Sequence, residues 1–172
     1  MLSRSTIVLL AILLTVYLGR KVYLMPKYST SDEMPAFDAT LDSGEMLQLK
    51  DLAGSYVLLH FWGSWCGPCR KENQELVQLY KGMQELGTDI FEIVSIGIET
   101  NRESWLAAIE KDGLTWPYHV GAFQRFRSPL AKQFGVREIP TTYLIGPDGK
   151  IILVNGKPDE IADEVKEHLV SN

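Results

Sequence analysis

Two residues with reactive side chains sit close together in this chain: Cys66 and Cys69, the only two cysteines among 172 residues. Loop-stapling disulfides need more cysteines at wider spacing. A structural zinc site needs two further ligands, and His60, His119 and His168 are scattered without finger spacing, so no metal is expected. The two sulfurs are left to react with each other. Gly67 and Pro68 lie between them, and Trp65 precedes them. The apolar run Tyr56–Trp62 reads as a strand and the residues after Cys69 as a helix, so the pair falls at a strand-to-helix junction. At a helix N-terminus, free N–H groups and the macrodipole favour an anion, which stabilises the thiolate of Cys66. Pro68 fits the first turn, whose N–H groups have no helical partner. The implied chemistry is thiol–disulfide exchange. Cys66 thiolate attacks a substrate disulfide, and the more buried Cys69 then attacks Cys66 and releases the reduced substrate.

The elements that position this pair follow from periodicity. Phe37–Leu41 and Met46–Leu49 flank Asp42-Ser43-Gly44, a hairpin signal. Tyr56–Trp62 is apolar on both faces apart from His60, as expected of a central strand covered on both sides. Leu76, Leu79, Tyr80, Met83 and Leu86 recur at helical spacing, with Gly87 as the stop. Phe91–Ile98 is a second buried strand. Glu103–Lys111 is a helix with Trp105, Leu106 and Ile109 on one side, and Leu130–Phe134 is a short helix. Thr142–Ile145 and Ile151–Val154 are strands joined by the turn Gly146-Pro147-Asp148-Gly149, and Ile161–Val170 is a closing amphipathic helix. The order predicts an α/β domain with a mixed sheet.

Residues 1–27 are different. Ser5–Gly19 is an uncharged, mostly aliphatic run of fifteen residues, and Val22–Met25 extend it beyond Arg20 and Lys21. A span needs about 17–25 residues, and two long basic side chains near its end can snorkel to the interface. Tyr17 and Tyr23 suit the headgroup belt. No small-x-small cleavage pattern follows Leu14, which favours an uncleaved anchor over a signal peptide. The expected organisation is an anchor at 1–27, a polar linker at 28–35 and one domain at 36–172. Residues 1–27 carry four of the 17 basic residues and no acid, leaving 13 basic and 22 acidic residues, a net of −9. An acidic domain without a Lys/Arg cluster argues against nucleic-acid binding. Around the anchor, Arg4 on one side against Arg20, Lys21 and Lys27 on the other slightly favours a domain inside the cell.

The stretch Phe61-Trp62-Gly63-Ser64-Trp65-Cys66-Gly67-Pro68-Cys69-Arg70-Lys71-Glu72 resembles the active-site segment of the thioredoxin superfamily. It is most similar to the membrane-anchored branch of TlpA-like and ResA-like thiol–disulfide oxidoreductases. Gly135-Val136 and Ile139-Pro140-Thr141-Thr142-Tyr143-Leu144-Ile145, followed by Pro147-Asp148-Gly149-Lys150, match as well. The resemblance covers about Pro35 to Val170. It implies a thioredoxin fold with an N-terminal β-hairpin, and a TlpA-like insertion from Trp116 to Arg137 whose extra strand starts at Trp116-Pro117-Tyr118. It implies a disulfide reductase whose only redox group is the Cys66–Cys69 couple, with no other cofactor. Its partners would be protein disulfides, for example in cytochrome c maturation, and a membrane dithiol donor. A monomer is expected, single-pass in the cell membrane, with the domain facing the periplasm or cell exterior against the charge count.

The resemblance also assigns residues. Pro140 would be a cis-proline facing the dithiol, freeing the backbone of Ile139 to pair with a substrate strand; Ile-Pro alone is equally compatible with a trans bond. Trp65 and Trp62 would border the substrate, although Trp62 fits the core equally well. Glu72 would exchange a proton with Cys69, one helical turn away; the alternative is a first-turn surface acid. His60, six residues before Cys66, stands where thioredoxins proper carry a buried acid; it would relay protons or serve as a structural hydrogen-bonding group. Arg70 and Lys71 are expected to face solvent, where their charge could assist the thiolate, and Glu99, at the end of the strand from Phe91, to lie at the surface rather than to approach the dithiol. Two other functions fit less well. Thiol peroxidases carry threonine three residues before the reactive cysteine, where this chain has Gly63. A binding module with a vestigial dithiol has no need of both cysteines together with the Ile-Pro segment.

Overall fold

The computed structural model describes residues 3–85 and 90–170. A five-stranded sheet in the order β5-β4-β3-β6-β7 forms the centre. Its strands are β3 (Tyr56–Trp62), β4 (Phe91–Ile98), β5 (Tyr118–Ala122), β6 (Thr141–Ile145) and β7 (Ile151–Val154). β3, β4 and β5 run parallel, and β6 pairs antiparallel with both β3 and β7. The sheet is therefore mixed, as expected. β1 (Asp38–Thr40) and β2 (Met46–Gln48) form the separate hairpin, turned at Gly44 with φ +91°.

Every residue of β3 is buried, because both faces are covered. Val57, Leu59 and Phe61 pack with Val94, Ile96, Phe134 and Tyr143 under the hairpin. Leu58 and Trp62 pack on the opposite face against Leu76 and Met83 of α2 (Gly67–Glu85), Trp105 of α3 (Arg102–Asp112) and Ile161 of α5 (Pro158–Val170). Full burial of each such side chain contributes about 1.5–3 kcal/mol. α3 begins with Asn101 accepting the Ser104 N–H and ends at Gly113, φ +70°, which only a residue without Cβ adopts freely. The short α4 (Pro129–Gln133) is capped by Ser128. Leu86 and Gly87, expected to close α2, lie outside the described residues.

The N-terminal apolar run forms one continuous helix, α1 (Arg4–Leu24), of 21 residues with none buried, long and apolar enough to cross a membrane. The segment 28–35 is not the free linker its polar composition suggested. Ser31 N–H donates to the Ile151 carbonyl and Ile151 N–H to the Asp32 carbonyl, so this segment pairs with β7. Tyr28 packs edge-on to Phe134 and Tyr143, and Met34 is buried. Polar side chains at a sheet edge do not reveal that the backbone beneath them is paired.

Candidate active site

The parallel strands β3 and β4 deliver their C-terminal ends to one edge, and the connection from β3 to α2 crosses it. Cys66 lies on that connection and Cys69 in the first turn of α2, joined as a disulfide with Cα atoms 5.3 Å apart. Cys66 is 6% exposed and Cys69 fully buried, so an incoming group meets Cys66 first. The Cys69 N–H points at Cys66 Sγ from 3.2 Å, a helix N-terminal donor placed to hold a thiolate there. The antiparallel register sets Phe61 opposite Thr141, which brings the residues before β6 to the same edge. The Ile139–Pro140 bond is cis, and the Ile139 carbonyl oxygen lies 3.8 Å from Cys66 Sγ.

The loop before Cys66 is held on several sides. Gly63 has no room for a side chain: a Cβ there would stand 2.8 Å from Trp65 Nε1 and 3.1 Å from Ile139 Cδ1. Trp65 is 45% exposed beside the dithiol, and its indole N–H donates to the Ile98 carbonyl at 2.8 Å. The Arg125 guanidinium lies 4.8 Å above the Trp65 ring, and Phe126 meets that ring edge-on. Trp62, expected either at the substrate surface or in the core, is fully buried in the core and cannot touch a protein substrate.

Two charged residues differ from expectation. Glu99 is buried rather than superficial, and its carboxylate accepts the Ser64 N–H. Arg70 does not simply face solvent. Its guanidinium clasps the Asp112 carboxylate through Nε and, at 2.6 Å, Nη2, and it also donates to the Ser64 carbonyl. The hydrogen bond to Asp112 raises the Arg70 pKa further above its ordinary value. Asn73 donates to the same carboxylate at 2.7 Å, so Asp112 joins α3 to the first turns of α2. Lys71 is exposed as expected. Asp112 and Arg125 were missed in the sequence, where nothing beyond their charge marks them.

On the inner side of α2, Glu72 Oε2 lies 3.6 Å from Nε2 of the fully buried His60. His60 Nδ1 is 3.3 Å from Ser95 Oγ, which accepts the Trp116 indole N–H at 2.9 Å. The expected alternative of Glu72 as a plain surface acid does not hold for this oxygen, which is buried. Among the described residues no group of three or more His, Cys, Asp or Glu side chains is arranged to hold a metal ion.

This arrangement matches known proteins. A sequence profile described as the AhpC/TSA family matches residues 30–154. The thiol–disulfide oxidoreductase ResA of Bacillus thuringiensis (strain Al Hakam) is 32% identical over 143 residues, which cover 83% of this chain and 76% of that protein. A thiol–disulfide oxidoreductase from Bacteroides fragilis is 33% identical, with a TM-score of 0.71 over 79% of this chain and 98% of that one. The thioredoxin domain of a Bacteroides vulgatus thiol–disulfide oxidoreductase superposes with a TM-score of 0.72 at 26% identity, covering 83% of this chain and 99% of that domain. With its paired cysteines at the mouth of a thioredoxin fold, the chain belongs to the AhpC/TSA family of the thioredoxin superfamily and is a ResA-like thiol–disulfide oxidoreductase.

Proposed function

We propose that this enzyme reduces disulfides of proteins outside the cytoplasm while tethered to the membrane by α1. The observation that carries the reading is the position of Cys66 Sγ beside the Ile139 carbonyl and the exposed Trp65. A substrate strand pairing with the Ile139 backbone at the cis-Pro140 turn would bring its disulfide to Cys66, with Trp65 against its side chains. Cys66 is then the nucleophile and Cys69 the resolving thiol, and Glu72 exchanges a proton with Cys69. The Cys66–Cys69 couple serves as the only redox group. The substrate class is unfolded or extended disulfide-bearing protein, with cytochrome c precursors foremost. Electrons come from a membrane dithiol carrier, and the enzyme acts as a monomer. The direction rests on Gly67-Pro68 between the cysteines, the dipeptide of reducing thioredoxins, and on the ResA-like relatives.

The test is an equilibrium titration of the full chain in detergent against glutathione buffers, with dithiol and disulfide forms counted by mass. A potential below about −230 mV is expected for a reductase, and a value near about −120 mV would make it a disulfide donor and overturn the direction. Labelling of reduced Cys66 in intact cells by a membrane-impermeant maleimide tests the side. Labelling only after lysis would place the domain inside.

A further inference from the structure

His60 and Glu72 form a pair that dithiol chemistry alone does not explain. His60 Nε2 and Glu72 Oε2 are both buried, neither has a hydrogen-bond partner among the described residues, and they face each other at 3.6 Å. An unpaired buried polar atom is costly, and here the two unpaired atoms face each other. The His60 ring is held from its other sides. It stacks nearly parallel on Trp62, with centroids 6.2 Å apart, and its Nδ1 faces the Ser95 hydroxyl. That hydroxyl already accepts the Trp116 N–H and retains one proton and one lone pair. It can therefore donate to Nδ1 or accept from it, so the ring can present Glu72 with either an N–H or a lone pair. Cys69, fully buried, lies one turn before Glu72 on the same face of α2.

We propose that His60 is a positioning residue for the second half of the exchange: its Nε2–H holds the Glu72 carboxylate ready to take the proton of Cys69. This rests on the assignment of Cys69 as resolving thiol and Glu72 as its proton partner. In the mixed disulfide, one substrate sulfur has already left as a thiolate and the other is bonded to Cys66. Cys69 passes its proton to Glu72 and attacks Cys66 Sγ. The Cys66–Cys69 bond forms, the Cys66–substrate bond breaks, and the second substrate sulfur leaves with the bonding pair. Two electrons have then passed from the dithiol to the substrate. Glu72 returns its proton to the departing thiolate and is again a carboxylate held by His60. Of the other titratable groups on the packed elements, His119 on β5 senses the charge of His60, Tyr80 on α2 meets Trp116 edge-on, and the charge of Glu92 on β4 reaches Tyr80 and Tyr118.

The two half-reactions separate when the reduced full chain in detergent is mixed in a stopped-flow cell with one equivalent of 5,5′-dithiobis(2-nitrobenzoate). The first nitrothiolate is released by Cys66 and the second by Cys69. His60→Phe, which keeps a ring against Trp62, and Glu72→Gln are expected to preserve the first phase and slow the second about tenfold or more near neutral pH. The double variant should be no slower than the slower single one, because both act on one proton. His60→Gln, whose amide N–H replaces Nε2–H, should recover the second phase to within about threefold of the parent. A second phase unchanged in rate and pH profile in His60→Phe, but slowed in Glu72→Gln, would overturn the role of His60 and leave that of Glu72 intact. If neither variant slowed it, the Glu72 assignment would fall too. Equal slowing of both phases in His60→Phe would show a packing role and overturn the proposal.

Discussion

The Glu99 carboxylate, buried at the end of β4, accepts the backbone N–H of Ser64, two residues before Cys66. It is one of three ties on that loop, with the Trp65 indole on the Ile98 carbonyl and Arg70 on the Ser64 carbonyl. A loop held by hydrogen bonds to the end of a rigid strand keeps a reactive group in register with its surroundings. Glu99→Gln retains an oxygen acceptor and is expected to stay within about threefold of the parent in protein-disulfide reduction. Glu99→Ala removes the acceptor, leaves the Ser64 N–H unpaired and is expected to lose about tenfold in kcat/KM, roughly the worth of one hydrogen bond. Equal rates in Glu99→Ala and the parent would mean that the other two ties suffice.

Gly63 is the position where thiol peroxidases carry threonine, and here the space is filled. Trp65 Nε1 and Ile139 Cδ1 would stand 2.8 Å and 3.1 Å from a Cβ there. Gly63→Thr should push the Trp65 indole off the Ile98 carbonyl or displace Ile139 from beside Cys66. Such overpacking typically costs about 1–3 kcal/mol. The expected result is slower protein-disulfide reduction with no gain in peroxide-dependent turnover. Peroxide consumption appearing in this variant would show that a single hydroxyl converts the site.

The fold was legible because its signals are local. The two-sided apolar run of β3, the helical spacing from Leu76 to Met83 and the turns at Gly44 and Gly146–Gly149 each follow from a few neighbouring residues. The dithiol was legible for the same reason, being four consecutive residues at an element boundary. What stayed hidden depends on pairings far apart in sequence. Arg70 reads as a solvent-facing charge until α3 places Asp112 against it, 42 residues later. Glu99 reads as a surface acid until the β3–α2 loop folds over it, and residues 28–35 read as a linker until β7 lies alongside. Trp62 was ambiguous because alternation along a strand buried on both faces carries no exposure signal.

Asp112 gathers Arg70 and Asn73 of α2 and is almost buried itself. Its removal by Asp112→Ala leaves a guanidinium and a buried amide without their acceptor. Breaking one partner of such a cluster costs more than the cluster contributes, because the remaining polar groups stay desolvated. The Arg70 side chain is about a quarter exposed, so water recovers part of that cost. A loss of about 2–3 kcal/mol is expected, or roughly 5–10 °C in Tm. Asp112→Asn, which keeps one acceptor oxygen, should lose less. Urea midpoints for both variants check the order, and a reversed order would show that charge rather than hydrogen bonding is decisive.

His119 gives the domain an acid-sensitive element on β5. Its side chain is buried on β5 and stacks on Trp116, with ring centroids 5.8 Å apart. Burial pushes its pKa below the ordinary 6.5; backbone carbonyls of Leu114 and Trp116 and the charge of Asp42 pull the other way without offsetting it. In the unfolded chain the imidazole takes up a proton near pH 6.5, whereas the folded protein resists doing so until lower pH. Below 6.5 the unfolded state therefore binds more protons, and stability falls with pH until the folded imidazole is protonated too. Above 6.5 both states are neutral and the contribution is flat. Replacement by His119→Phe, which preserves the stack, should leave the urea midpoint at pH 7.5 close to the parent and flatten its decline toward pH 5.5. An identical decline in both proteins would assign the acid sensitivity to carboxylates instead.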